Sequence, residues 1–380
     1  MSKINSAESI RGLACMAVVF SHLSLIYAPF LHNFEGLTSS GYPQVDFFHN
    51  SPFCFLFSGT AAVYVFFVLS GYVLSYAILS KNNVNEKIAS MAVKRYPRLA
   101  IPAFTSCILT FFILYFVEID TSNVSSWIQL YGKSGTFLNA IYEGTLGAFI
   151  FGESSLNFVL WTMQIELIAS FIIFFLLYIF YNRSRFTFNI FATLLPLIFI
   201  PISLKLVLGA YAFVLGMQLY IYGKKIPSFL TMPALIVGLY FAGVHTTSSS
   251  YSFFTDILGA KVYQLLNFIA GFLIVYGVLF NDRVSLLLDK RPLVLLGKLS
   301  FSIYLLHVIL LYTVSIPLFN SLYEYLNYSL AAFVSALITI ILILVLSYFY
   351  SKYIDDFSIK VANSIEKKVR KIQENKVPTL

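Results

Sequence analysis

Apolar residues run along this chain in long blocks, and short polar segments between them hold most of the charge. A helix that crosses a bilayer needs about 20 mainly apolar residues. Candidate blocks lie at approximately 10–30, 58–80, 98–117, 159–181, 187–203, 205–222, 229–244, 262–280, 300–318 and 329–352. Several are short, and the fifth and sixth touch around Ser203–Lys205. Segment 137–151 is apolar but shorter, and reads as an interfacial or re-entrant piece. No internal repeat is visible. The pattern predicts an all-α, polytopic membrane helix bundle of about ten transmembrane helices over residues 1–354. A basic amphipathic tail, 355–380, follows and is expected to lie against the inner leaflet.

Composition supports the membrane reading. The chain is 59% hydrophobic and 11% charged, with a mean hydropathy of +0.82. A soluble domain carries roughly a quarter charged residues, so this chain lacks the polar surface to dissolve as a globule. The N-terminal apolar stretch is too long for a cleavable signal peptide, and no small-x-small site follows it. Cys15, Cys54 and Cys107 are far apart and show no metal-ligand spacing, so neither disulfides nor a structural metal are expected.

Charge sets the expected orientation. With ten spans and both termini cytoplasmic, only Lys133, Lys205 and Lys261 of the 25 Lys and Arg fall outside. That is the positive-inside asymmetry. It accounts for the net charge of +8 without a nucleic-acid partner.

Ionisable residues inside spans are costly and mark candidate chemistry. In "SIRGLACMAVVFSHL", Arg11 and His22 are eleven residues apart, about three helical turns, and so share one face roughly 16 Å apart. A cation at the cytoplasmic mouth would meet an anionic ligand, and His22 would supply a titratable base deeper in. Alternatively, Arg11 snorkels to lipid phosphates and His22 bonds a neighbouring helix. Glu166, in "WTMQIE", is expected at the depth of His22, where its carboxylate would orient the imidazole. The alternative is a structural carboxylate satisfied by Gln164 or a tyrosine. Arg95 and Arg98, in "KRYPRLAIP", lie on one side of a helical turn and suit phosphate, although positive-inside charge alone also explains them. Ser70-Gly71 permits close backbone approach or a helix break. His307, counted from residue 300, is placed about 10 Å deep, shallower than His22. It lines the donor path or bonds a neighbour. His32, His49 and His245 fall in outer loops without metal spacing and read as surface histidines. Trp127, also in an outer loop, is a candidate sugar-stacking surface.

Taken in order, these segments resemble acyltransferase family 3 of integral-membrane O-acyltransferases. The matching residues are Arg11 and His22 in R-x10-H; Phe66, Phe67, Ser70 and Gly71 in FFxxSG; Arg95 and Arg98 in RxxR; Trp161, Thr162 and Glu166 in WTxxxE; and "SIYLLH", which includes Tyr304 and His307. The resemblance implies a ten-helix bundle in the cytoplasmic (inner) membrane. It also implies transfer of an acyl group, usually acetyl, from cytoplasmic acyl-CoA to a hydroxyl of a surface polysaccharide or its lipid-linked precursor. Acyl-CoA is then a co-substrate rather than a permanently bound cofactor. No fused hydrolase-like domain is expected, so any glycan-assembly partner would be separate.

The motifs then acquire expected roles. His22 and Glu166 would be catalytic. Arg11, Arg95, Arg98, Ser70 and Gly71 would bind acyl-CoA, with Trp161, Tyr304 and His307 lining the pathway or serving structure. His22 could act as general base or carry the acyl group itself. A transporter of a glycan unit or small polar solute is the rival reading, since buried His and Glu also suit a proton relay. A non-catalytic scaffold is a third.

Overall fold

The computed structural model describes residues 2–34, 39–131, 135–225 and 227–376. Among them there is no strand; every regular element is helical. The principal helices are α1 (Ser2–Tyr27), α2 (Gly59–Leu79), α3 (Val84–Phe116), α4 (Thr162–Ile179), α5 (Arg185–Leu194), α6 (Leu204–Tyr222), α7 (Ser228–Ala242), α8 (Val262–Leu279), α9 (Arg291–Leu310), α10 (Tyr328–Tyr350) and α11 (Asp356–Lys376). Eight helical stretches among the described residues are long and apolar enough to cross a membrane. They coincide with eight of the expected spans. The other two expected spans, 187–203 and 229–244, fall on the shorter apolar helices Arg185–Phe199 and Ser228–Ala242. The chain is thus a polytopic helical bundle. Lys133, one of the three cations expected outside, lies beyond the described residues.

Two helices distant in sequence build the centre. α1 and α9 run parallel in a constant register. A Cβ on Gly12 would sit 2.7 Å from the Gly297 amide nitrogen, so the backbones cross in close contact there. One turn on, Cys15 Sγ donates to the Ser300 carbonyl at 3.2 Å. Further still, His22 meets His307. Each pair differs by the same chain offset, as packed parallel helices of equal rise require. Small residues at such crossings allow the approach that makes interhelical hydrogen bonds short.

α2 packs against α6 through a second pair of glycines. A Cβ on Gly71 would lie 2.8 Å from the Phe213 Cα, and one on Gly216 would lie 2.9 Å from the Tyr72 amide nitrogen. Helix α2 is unbroken through Ser70-Gly71. Gly71 is therefore a packing contact filled by α6 backbone, the close approach expected of Ser70-Gly71.

At the other end of the chain, α10 passes through a single wide turn, Ser351–Asp355, into α11. The tail helix is packed against the first half of α3, where Lys94 Nζ lies 3.9 Å from Glu366 Oε2.

Candidate active site

The polar residues of the interior fall into two groups joined by a column. The first is the imidazole pair. His22 Nδ1 and His307 Nε2 are 2.8 Å apart, with ring planes only 3° from parallel. The other nitrogen of His307, Nδ1, is 3.2 Å from the Ile303 carbonyl one turn earlier. A carbonyl can only accept, so Nδ1 of His307 carries a hydrogen. With both rings neutral, His307 Nε2 is the acceptor and His22 Nδ1 the donor. His22 Nε2 then holds the lone pair. Trp127 stacks on the His22 ring at 5.5 Å and Phe158 meets it edge-on at 5.1 Å. His307 is fully buried, whereas His22 retains partial exposure.

The second group gathers the motif arginines. Arg95 Nη2 donates to Glu166 Oε1 at 2.8 Å, and Ser70 Oγ donates to the same oxygen at 2.9 Å. The Arg95 and Glu166 side chains are 18% and 16% exposed, so the pair is largely withdrawn from water. Arg95 Nε is buried and has no hydrogen-bond partner. Arg11 and Arg98 both stand near enough to act electrostatically on Arg95. Arg11 also pairs with Glu8 at 3.2 Å, and Arg98 is exposed. Three guanidiniums thus lie in one region of the bundle, two of them paired with carboxylates.

Tyr304 joins the two groups. Its hydroxyl donates to the Val159 carbonyl at 2.8 Å and lies 3.0 Å from Thr162 Oγ1, while its ring contacts Phe66 and His307. Phe66 stands one turn from Ser70 on α2, and Thr162 one turn from Glu166 on α4. The column therefore descends from the imidazoles through Tyr304 and Thr162 to Glu166 and Arg95.

This geometry corrects several expectations. Glu166 does not reach His22; its carboxylate is held by Arg95 and Ser70, and His307 takes the place beside the imidazole. The reason is where α1 stops: it ends at Tyr27, so His22 lies near its end, level with Phe158 ahead of α4. Phe158 already touches His22, so Glu166, eight residues on, lies roughly 12 Å further toward the arginines. His307 is level with His22, not shallower, because α9 begins at Arg291 rather than at residue 300. Gln164 is not the partner of Glu166 either; it donates to the Ile150 carbonyl at 2.6 Å. Trp161 sits under the Lys205 ammonium at 5.3 Å. Trp127 is buried on His22 rather than presented on a loop surface.

Sequence reasoning also missed Asn157. It is fully buried and donates to Ser106 Oγ at 3.1 Å and to the Leu305 carbonyl at 3.0 Å, tying the start of α4 to α3 and α9. Its position beside the WTxxxE motif was the available signal.

The family model described as an acyltransferase domain matches residues 4–350. The chain belongs to acyltransferase family 3. The match takes in both polar groups and all the helices that carry them. No curated protein and no solved structure shows significant similarity to the chain. As a family 3 member with many apolar helices, it is a multi-pass membrane acyltransferase.

The remaining histidines are not surface residues. His49 and His245 are buried, at 2% and 4% exposure. His245 packs its ring against both His32 (5.5 Å) and His49 (5.7 Å). Ser24 Oγ lies 2.7 Å from His32 Nε2, and His49 Nε2 lies 3.0 Å from Thr247 Oγ1. Burial, with the neighbouring His49, pushes His32 down to about 3. Burial likewise holds His49 below the usual imidazole value, and His245 well below it.

Proposed function

We propose that this family 3 enzyme moves an acyl group, acetyl by preference, from cytoplasmic acyl-CoA to a hydroxyl of a surface polysaccharide or its lipid-linked precursor. The site of action is the inner membrane, and acyl-CoA is a co-substrate that gives up its acyl group and departs as CoA after each turnover. The observation that carries the reading is the 2.8 Å contact between His22 Nδ1 and His307 Nε2, backed by the Ile303 carbonyl. Such a chain supports His22 Nε2 as the nitrogen that handles the proton.

The donor enters at the arginines. Arg98 and Arg11 take phosphate oxygens by charge-assisted hydrogen bonds. Arg95, steadied by Glu166, offers its unpaired Nε–H to the same ligand. The pantetheine arm follows the column past Ser70 and Tyr304, bringing the thioester to His22. The acceptor hydroxyl arrives from the opposite side. His22 Nε2 removes its proton as the oxygen attacks the thioester carbonyl carbon. The C–S bond then breaks, and the thiolate takes the proton back from Nε2. The products are an ester and CoA thiol, with no net proton released. His307 accepts from Nδ1–H throughout and stabilises the imidazolium that forms transiently. Trp127 and Phe158 hold the ring in plane.

In this scheme Glu166 positions Arg95 rather than contacting the reacting atoms. The test is acetyl-CoA consumption by the purified protein in nanodiscs, together with mass spectrometry of surface glycans from cells with and without the gene. His22→Ala is expected to abolish both signals while the protein still inserts. Wild-type acetylation in that variant would refute the assignment.

A further inference from the structure

The tail is expected to lie against the inner leaflet. Its contacts within the bundle add a second role. Along α3, every fourth residue from Glu86 to Pro102 meets the continuous α10–α11 helix. Glu86 pairs with Arg370. Ser90 and Glu366 line one crevice, and Lys94 pairs with Glu366 at 3.9 Å. Arg98 acts electrostatically on Asp355. Tyr350 donates its hydroxyl to the Pro102 carbonyl at 2.6 Å. Positions four apart form one ridge of a helix, so a single stripe of α3 is matched to its partner over several turns.

The stripe spans the weakest part of α3. Pro97 and Pro102 lie inside the helix. Each lacks an N–H and so removes a backbone bond that would have closed the preceding turn. These lost bonds belong to the turns that carry Arg95 and Arg98. Glu86, Ser90 and Lys94 are stitched below the prolines, and Arg98 and Pro102 at and above them. Arg95 stands off the stripe and points to Glu166. Any rotation or bend of α3 at the prolines would carry Arg95 away from that carboxylate.

We infer that the C-terminal helix is a brace that holds the proline-weakened α3 in register, with Glu366 as the positioning residue that sets Arg95 and Arg98 for the acyl-CoA phosphates. The inference rests on the donor site proposed above. It also bears on lipid attachment, because Phe357 and Ile372 are exposed on the tail and offer an apolar contact to a membrane surface. Bilayer composition therefore serves as the control.

The experiment compares wild type, Glu366→Gln and Glu366→Asp in nanodiscs of purely zwitterionic lipid and of lipid containing anionic headgroups. Glu366→Gln is expected to raise the KM for acetyl-CoA about five-fold with kcat unchanged, by the same factor in both bilayers. Glu366→Asp should recover part of the loss. A KM equal to wild type in Glu366→Gln, or a change seen only in anionic bilayers, overturns the brace. A second readout does not depend on turnover. Spin labels at Asn85→Cys and Lys368→Cys, both exposed, report the spacing of the two helices, since Cys15, Cys54 and Cys107 are buried. The distance distribution should be narrow in the wild-type background and broad with Glu366→Gln. Should the wild type consume no acyl-CoA, the functional reading falls, while the distance distribution still decides the brace.

Discussion

Gly12 and Gly297 face each other so closely that neither can carry a side chain without moving the backbone opposite. A Cβ on Gly297 would lie 2.9 Å from the Glu8 Cα, with other Glu8 backbone atoms nearer still. Ten residues beyond each glycine stands a histidine of the pair. Gly297→Ala is therefore expected to push α1 and α9 apart and weaken the imidazole contact. Overpacking of this kind costs about 1–3 kcal/mol. A lower Tm in detergent together with lost acyl transfer is the expected outcome; full activity would show that the crossing does not control the pair.

His307 is expected to act through His22. His307→Ala removes the acceptor for His22 Nδ1–H and frees the ring to change tautomer. Catalysis by a positioned base is worth about 10²–10⁴-fold. A drop in kcat within that range, with the KM for acetyl-CoA retained, is expected. His307→Gln, which can still accept a hydrogen bond, should recover part of the rate. Equal rates for the Ala and Gln variants would argue that His307 only fills space.

Arg95 and Glu166 should behave as a unit. Removing one member of a buried pair strands the other charge, typically at about 3–5 kcal/mol. Arg95→Ala and Glu166→Gln are each expected to lower Tm, whereas Arg95→Met with Glu166→Leu should restore much of it. The double variant should still bind acetyl-CoA poorly. Recovery of donor affinity along with Tm would remove Arg95 from the donor site.

The three-histidine cluster predicts an acid-sensitive cap. His32, His49 and His245 are all held below the ordinary imidazole value, His32 at about 3, mainly by burial. Asp46 opposes the shift at His49, and the Tyr263 ring packs on His245. Below pH 6.5 the unfolded chain binds protons that the folded cluster refuses, so stability falls as pH falls. A ring that stays neutral in the fold gives up about 3 kcal/mol between pH 6.5 and pH 4. Tm should decline over that window, and His245→Phe should flatten the decline. A pH-independent Tm in the wild type would contradict the cluster.

The bundle was legible because a membrane span is a property of consecutive residues. Blocks of apolar side chains, punctuated by Lys and Arg, indicated the helices, and R-x10-H placed Arg11 and His22 on one face of α1. The RxxR and WTxxxE segments were equally visible. Their partnership was not. Depth counted from the apparent start of a hydrophobic block set Glu166 beside His22 and His307 below it, because hydropathy does not reveal that α1 ends at Tyr27, with His22 near its end, or that α9 starts at Arg291. The three loop histidines, far apart in the chain, carried no spacing that foretold their contact.

The sequence by itself determined a helical membrane protein, its family motifs and the face that each motif residue occupies on its own helix. Only the tertiary structure decided that His22 bonds His307, that Glu166 holds Arg95 and Ser70, and that the tail lies along α3. The division has a physical cause. Periodicity along one helix follows from local backbone geometry, whereas register between helices is set by backbone contacts such as Gly12 with Gly297 and by where each helix begins.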